Sequence, residues 1–292
     1  MRIAILGMGA IGHVVERALD GRTGVELVRI DRTRSPLRSD EGPVEAAIVC
    51  TKTFGTGWAA DIAARVLSPN GVAVTIQNGL GNYETLADKV GADRVSLGAI
   101  YVGARLLPDG SLHATGPGRV ELARPSNADA RGRLERLAHH LSEGGMQVSV
   151  VDDAWPTVWR KLAVNAAMNP TTAIFGLTNG ELLTHAAAGP LSDELARETA
   201  RVARASGVAL GEVEAVAAWR DIATRLGANK SSMLQDLEAG KPTEIEAING
   251  AVAREGRRLG VDAPVNEAIT LLMKAVTQAA TRVPQPAATA SV

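Results

Sequence analysis

The segment Lys161-Leu-Ala-Val-Asn165-Ala-Ala-Met-Asn169-Pro170 sets an amine and two carboxamides four residues apart. In a helix this spacing stacks them on one face, about one turn between each. The pattern predicts an amphipathic helix from about residue 153 that Pro170 brings to a stop, with Trp155, Val158, Leu162 and Ala166 as its packed flank. A lysine alone on such a helix ordinarily belongs to a solvated stripe. Two asparagines fit that picture less well, because Asn is a poor helix former and these interrupt an Ala-rich run. One proton donor beside two adaptable amides suits a small, oxygen-rich molecule. The expectation is a face that closes a cleft, to which the rest of the chain delivers a cofactor.

Composition limits the alternatives. With 292 residues, 46% hydrophobic and 22% charged, the chain has the make-up of a soluble globular protein of one large or two ordinary domains. A formal net charge of −1 argues against nucleic acid or an anionic membrane as the main partner. Cys50 is the sole cysteine and lies in an apolar run, so it reads as a buried small hydrophobe. The five histidines lack metal-ligand spacing, and no metal is expected. The N-terminus does not read as a signal peptide and no apolar run is long enough to span a bilayer, so the expected location is cytoplasmic.

The elements that must position the chemistry begin at residue 2. Arg2-Ile-Ala-Ile-Leu6 is a short apolar run of the kind a buried parallel strand needs. Gly7-Met8-Gly9-Ala10-Ile11-Gly12 follows directly, and a helical pattern runs from His13. Between a strand and a helix, G-x-G-x-x-G serves a tight turn, close backbone approach to a pyrophosphate and close helix packing, with the helix N-terminus facing the anion. A second strand, Val25–Ile30, ends at Asp31-Arg32-Thr33-Arg34. An acidic residue there binds adenosine ribose hydroxyls, whereas Arg32 and Arg34 could meet a 2′-phosphate, so NAD and NADP both remain open.

Residues 36–44 read as a loop. A strand over 45–52 puts Lys52 at its carboxyl end, the edge where open α/β sheets bind ligands. A helix over about 57–67 and a strand over 72–77 lead to Asn78-Gly79, on the same rim, although Asn-Gly is also an ordinary turn dipeptide. Short strand-like pieces follow Val95, with turns at Pro108-Asp-Gly110 and Gly116-Pro-Gly118. A helix over about 128–144 and a last strand, Gln147–Val151, close this part. After Asp152 the patterns are almost all helical. The fold class expected is α/β: a Rossmann-type dinucleotide-binding domain over 1–152, an all-α domain over 153–283, and a disordered tail over 284–292. Within the helical part, Ser231-Ser232 and Thr243-Glu244 sit where helices should begin. Capping alone accounts for such residues, and sequence physics favours it.

Taken together, these pieces resemble the ketopantoate reductase (2-dehydropantoate 2-reductase) family. The resemblance rests on the N-terminal glycine motif, Cys-Thr-Lys52, Gln-Asn78-Gly, the Lys161–Pro170 segment, Ser231-Ser232-Met-Leu-Gln-Asp and Thr243-Glu244-Ile-Glu-Ala-Ile-Asn-Gly. It implies a Rossmann-type domain and a helical domain with the active site in the cleft between them. The implied reaction is reduction of a 2-keto acid by NADPH. On matching positions it implies Lys161 as the catalytic lysine and Glu244 as the carboxylate working beside it. Asn165, Asn169 and Ser232 fall at substrate positions. Lys52 and Asn78 fall on a rim that encloses nicotinamide and substrate. Two departures stand out: Asp31 occupies the place where the family usually has an arginine for the 2′-phosphate, and the stretch between the second strand and Lys52 is short.

The leading expectation is therefore an NAD(P)H-dependent 2-keto acid reductase, with ketopantoate as default substrate and Asp31 giving a modest lean to NADH. The same mechanism on another branched or aryl 2-keto acid is a second reading. A non-catalytic dinucleotide-binding or redox-sensing protein is a third, which the joint presence of Lys161 and Glu244 disfavours. Apolar faces in the helical half leave a homodimer open.

Overall fold

The computed structural model describes residues 1–32, 43–107 and 109–282. Arg34, Pro108, the expected tail over 284–292 and most of the expected loop over 36–44 lie outside these residues. The chain divides into two compact units between Val158 and Trp159.

Period-two alternation governs the first unit. Strand β1 (Arg2–Leu6) sends Ile3 and Ile5 to one side and Ala4 and Leu6 to the other, and all four are fully buried. A strand apolar on both sides needs cover on both faces of its sheet. Helices α1 (Ala10–Leu19) and α4 (Ala128–Glu143) supply one cover, packing Val14, Leu19, Leu134 and Leu137 onto Ile3 and Ile5. On the other face, α2 (Thr56–Val66) and α3 (Asn82–Val90) bring Ala59, Ile62 and Leu86 onto Ala4 and Leu6. Each large aliphatic side chain so buried contributes about 1.5–3 kcal/mol.

The sheet contains β2 (Glu26–Ile30), β3 (Val44–Val49), β4 (Leu67–Thr75), β5 (Val95–Tyr101), β8 (Arg119–Ala123) and β9 (Gln147–Val151) alongside β1, in the order β2-β1-β3-β4-β5-β8-β9. From β2 to β5 neighbours are parallel; β8 runs antiparallel to β5, and β9 parallel to β8. A short antiparallel pair, β6 (Ala104–Leu106) and β7 (Leu112–Ala114), accounts for the strand-like pieces expected after Val95.

The second unit is helical among the described residues. Helix α5 (Trp155–Phe175) leads into α6 (Glu181–Thr184), α7 (Ala188–Ala205), α8 (Glu212–Arg225), α9 (Ser232–Glu238), α10 (Asn249–Leu259) and α11 (Pro264–Arg282). Leu162, Leu195, Trp219, Val252 and Met273 are buried in it. The Trp219 indole finds its polar partner in Asp193, Nε1 donating at 3.1 Å. Among the described residues no helix is long and apolar enough to cross a membrane. A Rossmann-type unit followed by a helical one is the architecture expected from the sequence.

Two local expectations are corrected. Pro170 does not stop α5, which continues to Phe175. Proline cannot donate to the carbonyl four residues back, but Asn249 Nδ2 donates to that carbonyl, Ala166 O, at 2.9 Å. A tertiary partner thus supplies the bond the helix lacks. Nor does a helix begin at Thr243-Glu244. Residues 245–248 form turns in which Ala247 and Ile248 donate to Glu244 O, and α10 begins only at Asn249.

Candidate active site

In the first unit, the residues singled out from the sequence gather at one edge of the sheet. Gly7 follows β1, Asp31 follows β2, Lys52 follows β3 and Asn78 follows β4. These four strands are parallel, so their carboxyl ends share that edge, the ligand-binding edge of open α/β sheets.

The glycine loop is built for close approach. Gly7 has φ 102°, and a Cβ there would lie 2.6 Å from Thr51 Cγ2. A Cβ on Gly12 would lie 2.2 Å from Gly7 O, so α1 can sit this near β1 only with glycine at that position. Gly9 precedes α1, and beyond its chain neighbours no atom of the described residues lies within 4 Å of its would-be Cβ. An open glycine backbone at a helix N-terminus, flanked by Met8, Ala10 and Ile11, fits a dinucleotide pyrophosphate. Asp31 reaches the same loop: Met8 N–H donates to its Oδ2 at 3.4 Å. Arg32 is exposed immediately after it.

Lys52 and Asn78 are half-buried on the rim, Lys52 just before a single 3-10 turn over Thr53–Gly55. Gln77, which the sequence reading passed over, links their loops. Its Nε2 donates to Thr51 O at 3.0 Å, Thr51 Oγ1 at 3.2 Å and Thr56 Oγ1 at 2.9 Å, while Oε1 accepts from Thr75 at 3.1 Å. Asn82 Nδ2 then donates to Asn78 O at 2.8 Å, fixing the Asn78-Gly79 turn to the start of α3. The signal available in the sequence was an amide closing the run Val72-Ala-Val-Thr-Ile-Gln77, just past the end of β4.

In the second unit, α5 carries Lys161, Asn165 and Asn169 on one face, as their spacing requires. Lys161 and Asn165 are half-buried, and Asn169 is only 6% exposed. Glu244 is 5% exposed on the turn that precedes α10. Burial pushes the Lys161 ammonium down to about 8, and the charge of Glu244 opposes that fall. Lys161 and Glu244 are thus brought together, and Glu244 is not in the first turn of a helix, where a capping role would put it.

Ser231, rather than Ser232, caps α9. Its Oγ accepts from Leu234 N–H at 3.1 Å and from Thr172 Oγ1 at 2.6 Å, tying α9 to α5. That leaves Ser232 exposed at the first position of α9. The arrangement in this unit can hold a proton on a partly desolvated amine, beside a carboxylate and two amides that can bind oxygen atoms.

Comparison with known proteins agrees across both units. Residues 32–127 match the family model described as Ketopantoate reductase PanE/ApbA, and residues 153–277 match Ketopantoate reductase PanE/ApbA C terminal. The 2-dehydropantoate 2-reductase of Archaeoglobus fulgidus is 33% identical over 294 residues, covering 94% of this chain and 97% of the relative. The crystal structure of 2-dehydropantoate 2-reductase from Geobacter metallireducens superposes with TM-score 0.81 at 28% identity, over 94% of this chain and 99% of that one. D-mandelate dehydrogenase in complex with NADH gives TM-score 0.85 at 25% identity, over 96% and 99%.

Proposed function

Because this chain belongs to the ketopantoate reductase family, we propose that it reduces the keto group of a 2-keto acid, 2-dehydropantoate by default, with Lys161 as proton donor. NAD(P)H held at the glycine loop supplies the hydride. The Lys161 ammonium polarises the substrate carbonyl oxygen and passes it a proton as negative charge develops there. Glu244 keeps that amine charged against the pull of burial. Asn165, Asn169 and Ser232 bind the remaining substrate oxygens, and Asn169, a buried amide on the same face of α5 as Lys161, is suited to do so. Lys52 and Asn78 enclose the nicotinamide side.

The observation that carries this reading is the Lys161–Glu244 pair. A partly desolvated amine poised near 8 beside a carboxylate is what proton delivery near neutral pH asks for. A protein that only sensed dinucleotides would have no use for it.

For the coenzyme, Asp31 supports a modest lean to NADH. A carboxylate at the end of β2 accepts from ribose hydroxyls and repels a 2′-phosphate. Arg32 pulls the other way and leaves NADPH acceptable.

The test is steady-state oxidation of NADH and NADPH with 2-dehydropantoate, a branched aliphatic 2-keto acid and an aryl 2-keto acid. Wild type should turn over at least one of them. Lys161→Ala should lower kcat by roughly 10²–10⁴-fold, the usual loss on removing a positioned acid, with coenzyme Kd unchanged. A wild type inactive on all three, or a Lys161→Ala variant with wild-type turnover, refutes the reading.

A further inference from the structure

Pro170 leaves one main-chain carbonyl of α5, that of Ala166, without its helical donor. Asn249, the first residue of α10, fills the gap, its Nδ2 donating to Ala166 O at 2.9 Å and to Asn266 Oδ1 at 3.0 Å. Asn266 Nδ2 donates in turn to Glu198 Oε2 at 2.9 Å and Leu195 O at 3.3 Å. Glu198 also accepts the first main-chain donors of α11, from Val265 at 2.9 Å and Asn266 at 2.8 Å. Asn249 and Asn266 are 0% exposed and Glu198 1%. A continuous buried polar line therefore runs from α7 and α11 through Asn249 to the carbonyl of α5.

The two ends of the Asn249 contact adjoin the working pair. Ala166 follows Asn165 directly and lies on the helix that presents Lys161. Asn249 follows Glu244 by one hydrogen-bonded turn, closed by Ala247 N–H at 3.0 Å and Ile248 N–H at 3.1 Å to Glu244 O. We propose that Asn249 is a positioning residue: by donating to the carbonyl that Pro170 frees, it locks the Glu244 turn in register against the face of α5 that carries Lys161.

Stability alone is a poor account of this arrangement. Asn249 Oδ1 is buried without a partner among the described residues, which disfavours an amide at that position. An alanine in place of Pro170 would let α5 satisfy its own carbonyl. What the Pro170–Asn249 combination adds is a bond between elements in place of a bond within one. The inference rests on reading Lys161 and Glu244 as the reacting pair.

The experiment compares wild type, Asn249→Ala, Pro170→Ala and the double variant. In the double variant the new main-chain N–H at position 170 returns a donor to Ala166 O, while the Glu244 turn still lacks the Asn249 bond to α5. Three readouts are taken: thermal midpoint, kcat and KM on the best 2-keto acid, and the pH dependence of Lys161 acylation by an amine-reactive anhydride, followed by peptide mass spectrometry. Glu244 is the charge that raises Lys161 against burial, so a displaced Glu244 lowers the pH midpoint of labelling.

We expect Asn249→Ala to lower that midpoint and to cut kcat about 10–100-fold, the scale for a misplacement near 1 Å, with KM within about threefold. In the double variant the thermal midpoint should rise toward wild type while the labelling midpoint and kcat stay low. Should Asn249→Ala not fold, Pro170→Ala against the double variant makes the same comparison. Recovery of kcat and labelling together with thermal stability would overturn the inference, as would wild-type values in Asn249→Ala. A double variant that still fails to fold overturns it too, since Asn249 would then be holding the fold. Labelling needs no turnover, so a wild type inactive on every 2-keto acid counts against the proposed reaction and is told apart from failure of this inference.

Discussion

Glu244→Gln gives the sharpest test of the proposed acid. Lys161 sits at about 8 against an ordinary 10.5, with burial lowering it and Glu244 partly restoring it. The net displacement corresponds to roughly 3 kcal/mol against the charged form, an upper figure because the side chain is half- rather than fully buried. At pH 7 about nine-tenths of the molecules still carry the proton on Lys161. Gln keeps the shape of Glu244 and removes its charge. A carboxylate within about 4–6 Å raises a neighbouring amine by roughly one to three pKa units, so its loss should carry Lys161 down by a similar amount.

The sign follows from the role. A proton donor works in its charged form, so wild-type kcat should be flat below about pH 7 and fall as pH rises through about 8. In Glu244→Gln this limb should move to lower pH. If the move is about two units, kcat at pH 7 drops about tenfold, yet it approaches wild type near pH 5. The assay is kcat with saturating coenzyme and 2-keto acid from pH 5 to 9, with circular dichroism at each end to establish folding. A deficit of equal size at every pH would refute the reasoning, because it would make Glu244 a binding or packing group rather than the charge that supports Lys161.

Two further outcomes follow from the same geometry. Asn169→Ala and Ser232→Ala should each raise KM for the 2-keto acid with little change in coenzyme Kd, by about 0.5–1.5 kcal/mol per lost hydrogen bond and up to about 3 where a carboxylate was the partner; unchanged substrate kinetics in both would return these residues to structure alone. Asp31→Asn should raise kcat/KM for NADPH relative to NADH, since two charges 4 Å apart at an effective dielectric near 20 repel by roughly 4 kcal/mol before screening by solvent and salt. Strong NADPH selectivity in wild type with no gain in the variant would leave Arg32 as the determinant.

Much of this was legible in the residues themselves, for a physical reason. The glycine loop is readable because its steric demand is local: Gly7 needs a positive φ and Gly12 needs the absence of a Cβ, and both demands leave a mark in sequence. Lys161, Asn165 and Asn169 are readable because helical periodicity converts spacing into a shared face. The parallel sheet is readable because strands buried on both sides carry unbroken apolar runs, Ile3–Leu6 in β1 and Ala46–Val49 in β3. Ser231 as cap of α9 is readable because capping acts over three residues.

The failures meet at one place, where a partner distant in sequence overrides a local rule for Pro170. Pro170 reads as a terminator because a proline removes a bond within its own helix. It does not terminate α5 because a side chain far along the chain, that of Asn249, makes that bond instead. Glu244 reads as a residue of a first helical turn because Thr243-Glu244 after Pro242 has that composition. It is drawn instead into a buried turn, and α10 starts at the residue that meets α5. Both errors therefore converge on a single contact. That convergence is itself informative: two local signals are overruled at one place, and it adjoins the Lys161–Glu244 pair on both sides. A fold under pressure only for stability would carry an alanine in place of Pro170 to close α5, and would let a helix begin at Thr243. The cross-element bond makes sense if what has to be held is the relation between an amine on one segment and a carboxylate on the other.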